Sequence, residues 1–291
     1  MAPSLTTRAR AKVNLDLRVL GRRADGYHEL ESLVAFAGLG DTLTLEPGAP
    51  VALAISGPSA AGLEADDGNL VLRAARALEK ARPGLQLGRF HLVKRLPVAA
   101  GIGGGSADAA AALRLLARLN GIALGDPVLL SVAAQVGADV PVCLASRARL
   151  MAGIGERLGP VLRLPPLFAV LVNPGVAVET AAVFRALGLS HGQKLAEPRG
   201  EGEHGLGPAG DFLPRLIRSG NDLAAPARRV TSEIDEVIAG LEALPGCRLA
   251  RMSGSGATCF ALFDDRAASA EAAKTLARAR PGWWVKPTLL G

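Results

Sequence analysis

One glycine-rich run constrains this chain more than any other feature. Pro97-Val98-Ala99-Ala100-Gly101-Ile102-Gly103-Gly104-Gly105-Ser106-Ala107 holds four glycines in five positions, with a serine directly after them. It stands between a strand predicted through Phe90 to Lys94 and an Ala/Leu helix predicted from about Ser106 to Leu119, stopped by Asn120-Gly121. Without side chains in the way, backbone N–H groups there can converge on an anion, and the following helix adds its positive end. A strand-to-helix turn needs fewer glycines than this, so phosphate binding is the favoured reading. The run is not a Walker loop, because no lysine follows the glycines. It is not G-x-G-x-x-G either, because Ser106 stands where the third glycine belongs.

Composition narrows the class of chain that carries this loop. At 291 residues, one large or two ordinary domains are expected. Hydrophobic residues at 49% against charged residues at 21% exclude a disordered chain and supply a core. Aromatics make up 3%, with a single tyrosine, which argues against binding single-stranded nucleic acid on stacked rings. The net charge of +6 points to anionic partners, either nucleic acid or phosphorylated small molecules. Arg8, Arg10, Lys12, Arg18, Arg22 and Arg23 crowd the first stretch, opposed there by Asp16, a pattern that a solvated basic face would also give. Cys143, Cys247 and Cys259 are odd in number and far apart, so neither a disulfide framework nor a zinc cluster follows and a reducing compartment fits. The four histidines show no metal-binding spacing. With no apolar leader and no uninterrupted run of about 18 apolar residues, a soluble cytoplasmic protein without membrane partners is expected.

Along the chain, Val13, Leu15, Leu17 and Val19 alternate with polar residues as in a half-buried strand, with Lys12 and Asn14 on its polar face. Arg22-Arg23-Ala24-Asp25-Gly26 reads as a turn. Further strands are predicted at Leu30–Phe36, Asp41–Glu46 and Val51–Ile55, and a helix over Asn69–Ala81 with Asn69 as N-cap. A helix opening at Asp126-Pro127 ends near Gly137. Leu167–Val172 reads as a buried strand closed by Asn173-Pro174-Gly175, and residues 190–210 as a mobile loop. A helix over about 231–244, strands 248–252 and 258–263 around Ser253-Gly254-Ser255-Gly256, a helix over 267–280 and a strand at 283–286 complete the reading. The simplest partition is two α+β domains, residues 1–158 and 159–291.

Three segments in order carry a resemblance: Ala11-Lys12-Val13-Asn14-Leu15, Pro97 to Ala107, and Ser253-Gly254-Ser255-Gly256-Ala257. Together they resemble the motifs of the GHMP kinase superfamily, which includes galactokinase, homoserine kinase and mevalonate kinase. Three further details narrow the resemblance: Arg23-Ala24-Asp25-Gly26-Tyr27-His28-Glu29-Leu30, Gly137-Ala138-Asp139-Val140-Pro141, and Asn173-Pro174-Gly175-Val176. They resemble the branch that phosphorylates a cytidyl diphosphate ester of methylerythritol at its 2-hydroxyl, in the non-mevalonate route to isoprenoid precursors. The resemblance spans about residues 8–264 and is weakest over 185–220.

It implies an α+β fold of two domains. The N-terminal, ATP-binding one would resemble ribosomal protein S5 domain 2, the C-terminal, substrate-side one would be ferredoxin-like, and the active site would lie in their cleft. Lys12 and Asp139 would be catalytic, with Asp139 accepting the proton of the acceptor hydroxyl and Lys12 neutralising developing charge. Pro97, Val98, Ala99, Ala100, Gly101, Ile102, Gly103, Gly104, Gly105, Ser106 and Ala107 would bind ATP. Asn14, Tyr27, His28, Thr180 and Phe184 would bind the acceptor, with Tyr27 and Phe184 covering the cytosine and His28 on its edge. Ser253, Gly254, Ser255 and Gly256 form the C-terminal glycine loop. Mg2+ would accompany ATP, with Ser106 as a candidate ligand and no acidic ligand identified. One departure stands at Val34, where the branch often has an aromatic; valine cannot stack. The partners implied are small molecules, not nucleic acid, and the oligomeric state is left open. The competing readings are another superfamily kinase, of homoserine or mevalonate type, and a non-catalytic basic nucleic-acid-binding protein.

Overall fold

The computed structural model describes residues 3–48, 50–199 and 211–291. Its strands are β1 (Leu5–Asn14), β2 (Arg18–Arg22), β3 (His28–Pro47), β4 (Ala52–Ser56), β5 (Gly88–Val93), β6 (Arg149–Gly153), β7 (Arg157–Val161), β8 (Leu167–Asn173), β9 (Leu249–Met252), β10 (Cys259–Phe263) and β11 (Trp284–Leu290). Its helices are α1 (Leu70–Ala81), α2 (Gly104–Leu119), α3 (Pro127–Val136), α4 (Val140–Ala145), α5 (Thr180–Leu187), α6 (Phe212–Arg218), α7 (Ala224–Val230), α8 (Glu233–Glu242) and α9 (Arg266–Ala279). They form two compact units. Unit 1 takes the chain through Lys12, then Leu39–Val98 and Gly103–Ser146; unit 2 takes Val13–Gly38, Ala99–Ile102 and Arg147–Gly291. Chain order and compactness therefore divide the molecule differently: position 158 lies inside unit 2, and the units exchange segments at Lys12/Val13, within β3 and within the glycine run.

Unit 1 is built on the alternation of β3's C-terminal half. Leu43 and Leu45 face inward opposite Leu92 and Phe90 of the antiparallel β5, while β4 runs parallel on the far side of β5. Helices α1 to α4 accompany this sheet. Asn69 caps α1 by accepting the Val71 N–H at 3.0 Å, and Asp126 caps α3 by accepting from Val128 and Leu129, with Pro127 at the first position. In α2, Ala107 and Ala109 to Ala112 are all buried, and side chains this small bring neighbouring backbones close.

Unit 2 contains an antiparallel sheet ordered β9-β10-β8-β11, with β11 reaching β3 at Leu290↔Ala37. The N-terminal half of β3 also pairs with β2 and with β6, which pairs β7. Val170, Val172, Ala261, Phe263, Ile234, Val237, Leu241 and Leu276 share one core beneath α8 and α9. The α+β reading holds. The strands predicted at Leu30–Phe36 and Asp41–Glu46 are halves of a single 20-residue strand, β3. The strand predicted through Val13 to Val19 is interrupted instead: β1 ends at Asn14 and β2 begins at Arg18. Within the predicted 190–210 loop, Gln193, Leu195 and Ala196 make backbone hydrogen bonds to β2, and residues 200–210 lie outside the described residues.

Candidate functional site

In unit 1 the constellation begins at the end of α3. Gly137 stops that helix, and the chain re-enters α4 with Asp139 as N-cap and Pro141 in its first turn. An N-cap aspartate ordinarily turns its carboxylate on its own helix's N–H groups. Asp139 does not: it makes no side-chain cap bond, and its Oδ2 lies 2.9 Å from Lys12 Nζ. Lys12 is almost fully buried, whereas Asp139 keeps 31% of its side chain open. Arg114 of α2 holds the other end of α4, donating to the carbonyls of Cys143 (2.8 Å) and Leu144 (3.4 Å). Burial, followed by the nearby Asp139 charge, pushes the Cys143 thiol up to about 12, so this cysteine is a core residue without nucleophilic character.

Gly103 adjoins the pair. Its φ is +63°, and a Cβ there would meet Lys12 Cε at 3.3 Å, Lys12 Cβ at 3.4 Å and Asp139 Oδ2 at 3.8 Å. It precedes α2 as a left-handed N-cap with no side-chain cap bond, so the first-turn N–H groups of Gly104, Gly105 and Ser106 open next to a lysine–aspartate pair. Pro97, Val98 and Ala107 complete this unit's share of the run. Beneath it, Lys94 Nζ lies 2.7 Å from Asp41 and 2.6 Å from Asp108, all three buried, and 3.3 Å from where a Gly104 Cβ would stand. Asp41 also accepts the Arg95 and Leu96 N–H groups, whereas Asp108 Oδ1 has no hydrogen-bond partner. Burial pushes the Asp108 carboxyl up to about 7 against the pull of Lys94. Sequence reading missed this triad. The available signal was Asp108 itself, a carboxylate amid Ala107 and Ala109 to Ala112 on a helix otherwise fit for burial.

In unit 2, Ala99, Ala100, Gly101 and Ile102 meet the second glycine turn. A Cβ on Gly101 would stand 2.6 Å from Gly256 O and 2.7 Å from Ser253 O; its φ is +72°. Ser253 Oγ donates to Gly101 O at 3.1 Å and accepts the Asn14 N–H at 3.0 Å. Gly254 keeps the same spot open, a Cβ there meeting Gly101 O at 2.8 Å and Asn14 Oδ1 at 3.3 Å. Ser255 hydrogen-bonds Thr180 across 2.9 Å at the start of α5. Phe184, one turn further along α5, stacks on His28 with ring centroids 4.5 Å apart and 26° between planes. Burial, then the Arg22 charge, lowers the His28 pKa, and its Nε2 is buried with no hydrogen-bond partner. Tyr27, at the end of a turn closed by Arg23 N–H to Tyr27 O at 2.7 Å, is 59% exposed. Val34 is fully buried beside its β6 partner Arg149, so this position presents no surface for stacking.

The structure thus gathers Lys12, Asp139 and Gly103 in unit 1, and Asn14, His28, Phe184, Thr180, Gly101 and Ser253 to Gly256 in unit 2. Among the described residues no group of three or more His, Cys, Asp or Glu could hold a metal, and no helix is long and apolar enough to cross a membrane.

The comparisons agree with this architecture. The family model for the GHMP kinases N terminal domain matches residues 69–147, and that for the GHMP kinases C terminal matches 204–281. Solved structures of a homoserine kinase from Cytophaga hutchinsonii (21% identity, TM-score 0.72, covering 99% of this chain and 95% of that one) and of Leishmania major mevalonate kinase (18%, 0.66, 98% and 96%) share the fold. This chain is a GHMP kinase. Relatives named 4-diphosphocytidyl-2-C-methyl-D-erythritol kinase are 61% identical in Methylobacterium radiotolerans and 59% in Azorhizobium caulinodans, each match covering 98% of this chain and 99% of the relative. A crystal structure of 4-(cytidine 5'-diphospho)-2C-methyl-D-erythritol kinase superposes with TM-score 0.76 at 38% identity, over 99% of both chains. Within the superfamily, the chain belongs to the 4-diphosphocytidyl-2-C-methyl-D-erythritol kinase family.

Proposed function

We propose that the chain transfers the γ-phosphoryl group of ATP to the 2-hydroxyl of 4-diphosphocytidyl-2-C-methyl-D-erythritol, giving ADP and the 2-phosphate. The observation that carries the chemistry is the Lys12–Asp139 pair at 2.9 Å, set against the left-handed Gly103. A tertiary hydroxyl is a poor nucleophile, and Asp139 takes its proton as the new phosphorus–oxygen bond forms. Lys12 orients that carboxylate and offsets charge on the transferring group. The open N–H groups of Gly104, Gly105 and Ser106 receive phosphate oxygens, and Pro97 to Ala107 as a whole form the ATP seat. Mg2+ would accompany ATP and neutralise phosphate charge there, with Ser106 as a candidate protein ligand.

Unit 2 reads the acceptor. Tyr27 and Phe184 cover the cytosine, His28, stacked on Phe184, lies on its edge, and Asn14 and Thr180 hold the polar portion. The three free cysteines suit a cytoplasmic, reducing setting. A coupled assay of ADP release with the cytidyl acceptor, homoserine and mevalonate side by side tests the reading. Turnover with the cytidyl acceptor well above both others is expected. Preference for homoserine or mevalonate would reassign the substrate, and strongly salt-dependent RNA binding without ATP turnover would remove catalysis altogether.

A further inference from the structure

Residues 189–199 form a strap along β2. The Arg22 N–H donates to Gln193 O at 2.8 Å, and the Leu195 N–H donates to Leu20 O at 2.8 Å. The Arg22 guanidinium donates to Leu189 O at 2.9 Å, fastening the strap's first end. Its other end is fastened by charge. Arg199 Nη2 lies 2.6 Å from Asp16 Oδ2 and Nε lies 3.5 Å from Glu31 Oε2, while its backbone N–H donates to the Glu31 carboxylate at 3.2 Å. Asp16 is 4% exposed and Glu31 3%, and carboxylates this deeply buried require compensating charge. Glu31 has a second ion pair, with Arg18 at 3.1 Å. For Asp16 the neighbouring cation besides Arg199 is Arg251, whose hydrogen bonds go to Leu15 O, Leu216 O and Ser219.

Asp16 passes this restraint inward. Its Oδ1 accepts the Leu33 N–H at 2.7 Å, and its carbonyl accepts the Ser32 hydroxyl. Ser32 Oγ in turn accepts from Asn14 Nδ2 at 2.7 Å, and the Asn14 N–H donates to Ser253. A continuous hydrogen-bonded path therefore joins the strap to Asn14 and to the second glycine turn, all within unit 2.

We propose that Arg199 is a positioning residue for the acceptor: by locking the strap onto Asp16 and Glu31 it fixes Ser32 and the Asn14 amide. This rests on the reading of Asn14 as an acceptor contact. Lysine at this place can supply the charge but not the fork that spans both carboxylates.

The test compares wild type, Arg199→Gln, Arg199→Lys, Asp16→Asn and the Asp16→Asn/Arg199→Gln double variant. It measures kcat, KM for ATP, KM for the cytidyl acceptor, acceptor affinity by titration without ATP, and thermal unfolding. Arg199→Gln should raise acceptor KM and weaken titrated affinity about tenfold, with kcat and ATP KM within about twofold of wild type. Arg199→Lys should recover part of the loss. In the Asp16→Asn background, Arg199→Gln should raise acceptor KM by clearly less than in the wild-type background, because the Asp16 pair is already gone and the Glu31 pair alone is left to break. Unchanged acceptor KM in Arg199→Gln overturns the proposal. So does a parallel rise in both KM values with early unfolding, which marks a purely structural ion pair. A wild type that ignores the cytidyl acceptor removes the functional reading itself and this proposal with it, a result distinct from either.

Discussion

Asp139 and Tyr27 illustrate how residue-scale readings fare once neighbours are known. Each sits where a turn residue would be unremarkable. Asp139 is set apart because it gives its carboxylate to Lys12 and not to its own helix. Tyr27 is set apart by exposure, since an apolar ring left 59% open next to the stacked His28 and Phe184 has a face to offer. Tyr27→Ala should cost roughly 1–3 kcal/mol of acceptor binding, the range for base–aromatic stacking, with ATP KM unchanged. Steady-state kinetics varying each substrate separately would check this, and equal effects on both would take Tyr27 out of the cytosine site. Val34 stands where the branch often has an aromatic. Because its side chain is fully buried, Val34→Phe adds volume to a filled core instead of a stacking ring. It should destabilise by about 1–3 kcal/mol in urea unfolding and leave acceptor KM no better; a tighter KM would show that the ring reaches the ligand.

At the scale of elements, the features with strong local signals were legible. Asn69, Asp126-Pro127 and Asn120-Gly121 carry cap and stop chemistry that acts within one helical turn, and each bounds a helix where expected. What sequence alone hid depends on distant partners or on short length. Gly38 and Gly40 look like a break in β3, yet Gly40 is there because a Cβ would strike Ala9 O at 2.2 Å. Helix α4, at six residues, is too short to show a period, and Gly153, Gly155 and Pro160 obscure β6 and β7. Asp41 stands in β3, Lys94 directly after β5 and Asp108 in α2, so nothing in the order of the chain announces that they meet. The glycine run was legible as a tight strand-to-helix turn, but not that it also abuts the lysine–aspartate pair. Gly103→Val puts a branched side chain at φ +63° against Lys12 and should therefore weaken ATP binding and transfer together. Circular dichroism would confirm the fold, and normal ATP kinetics in a folded variant would exclude the loop from the site.

For the molecule as a whole, the buried triad links stability to pH. Asp108 rises from an ordinary 3.8 to about 7, so the folded chain binds this proton more tightly than the unfolded chain does. Its contribution is therefore full below about pH 4 and is lost as pH rises through about 7. Asp108→Asn has no proton to lose, and its melting temperature should gain on wild type as pH rises across that window. A constant difference between the two melting curves would show that Asp108 does not titrate there.

The central claim is that Asp139 takes the proton of the acceptor hydroxyl while the γ-phosphoryl group moves. Single-turnover transfer from labelled ATP to the cytidyl acceptor, with both ligands saturating, tests it most directly because release steps drop out. Asp139→Asn preserves shape and removes the proton acceptor. Its transfer rate should fall about 10²- to 10⁴-fold while both ligands still bind, and Lys12→Ala added to it should cost little more, since the two act as a unit. Transfer at close to the wild-type rate in Asp139→Asn would contradict the account and leave positioning alone to drive the reaction.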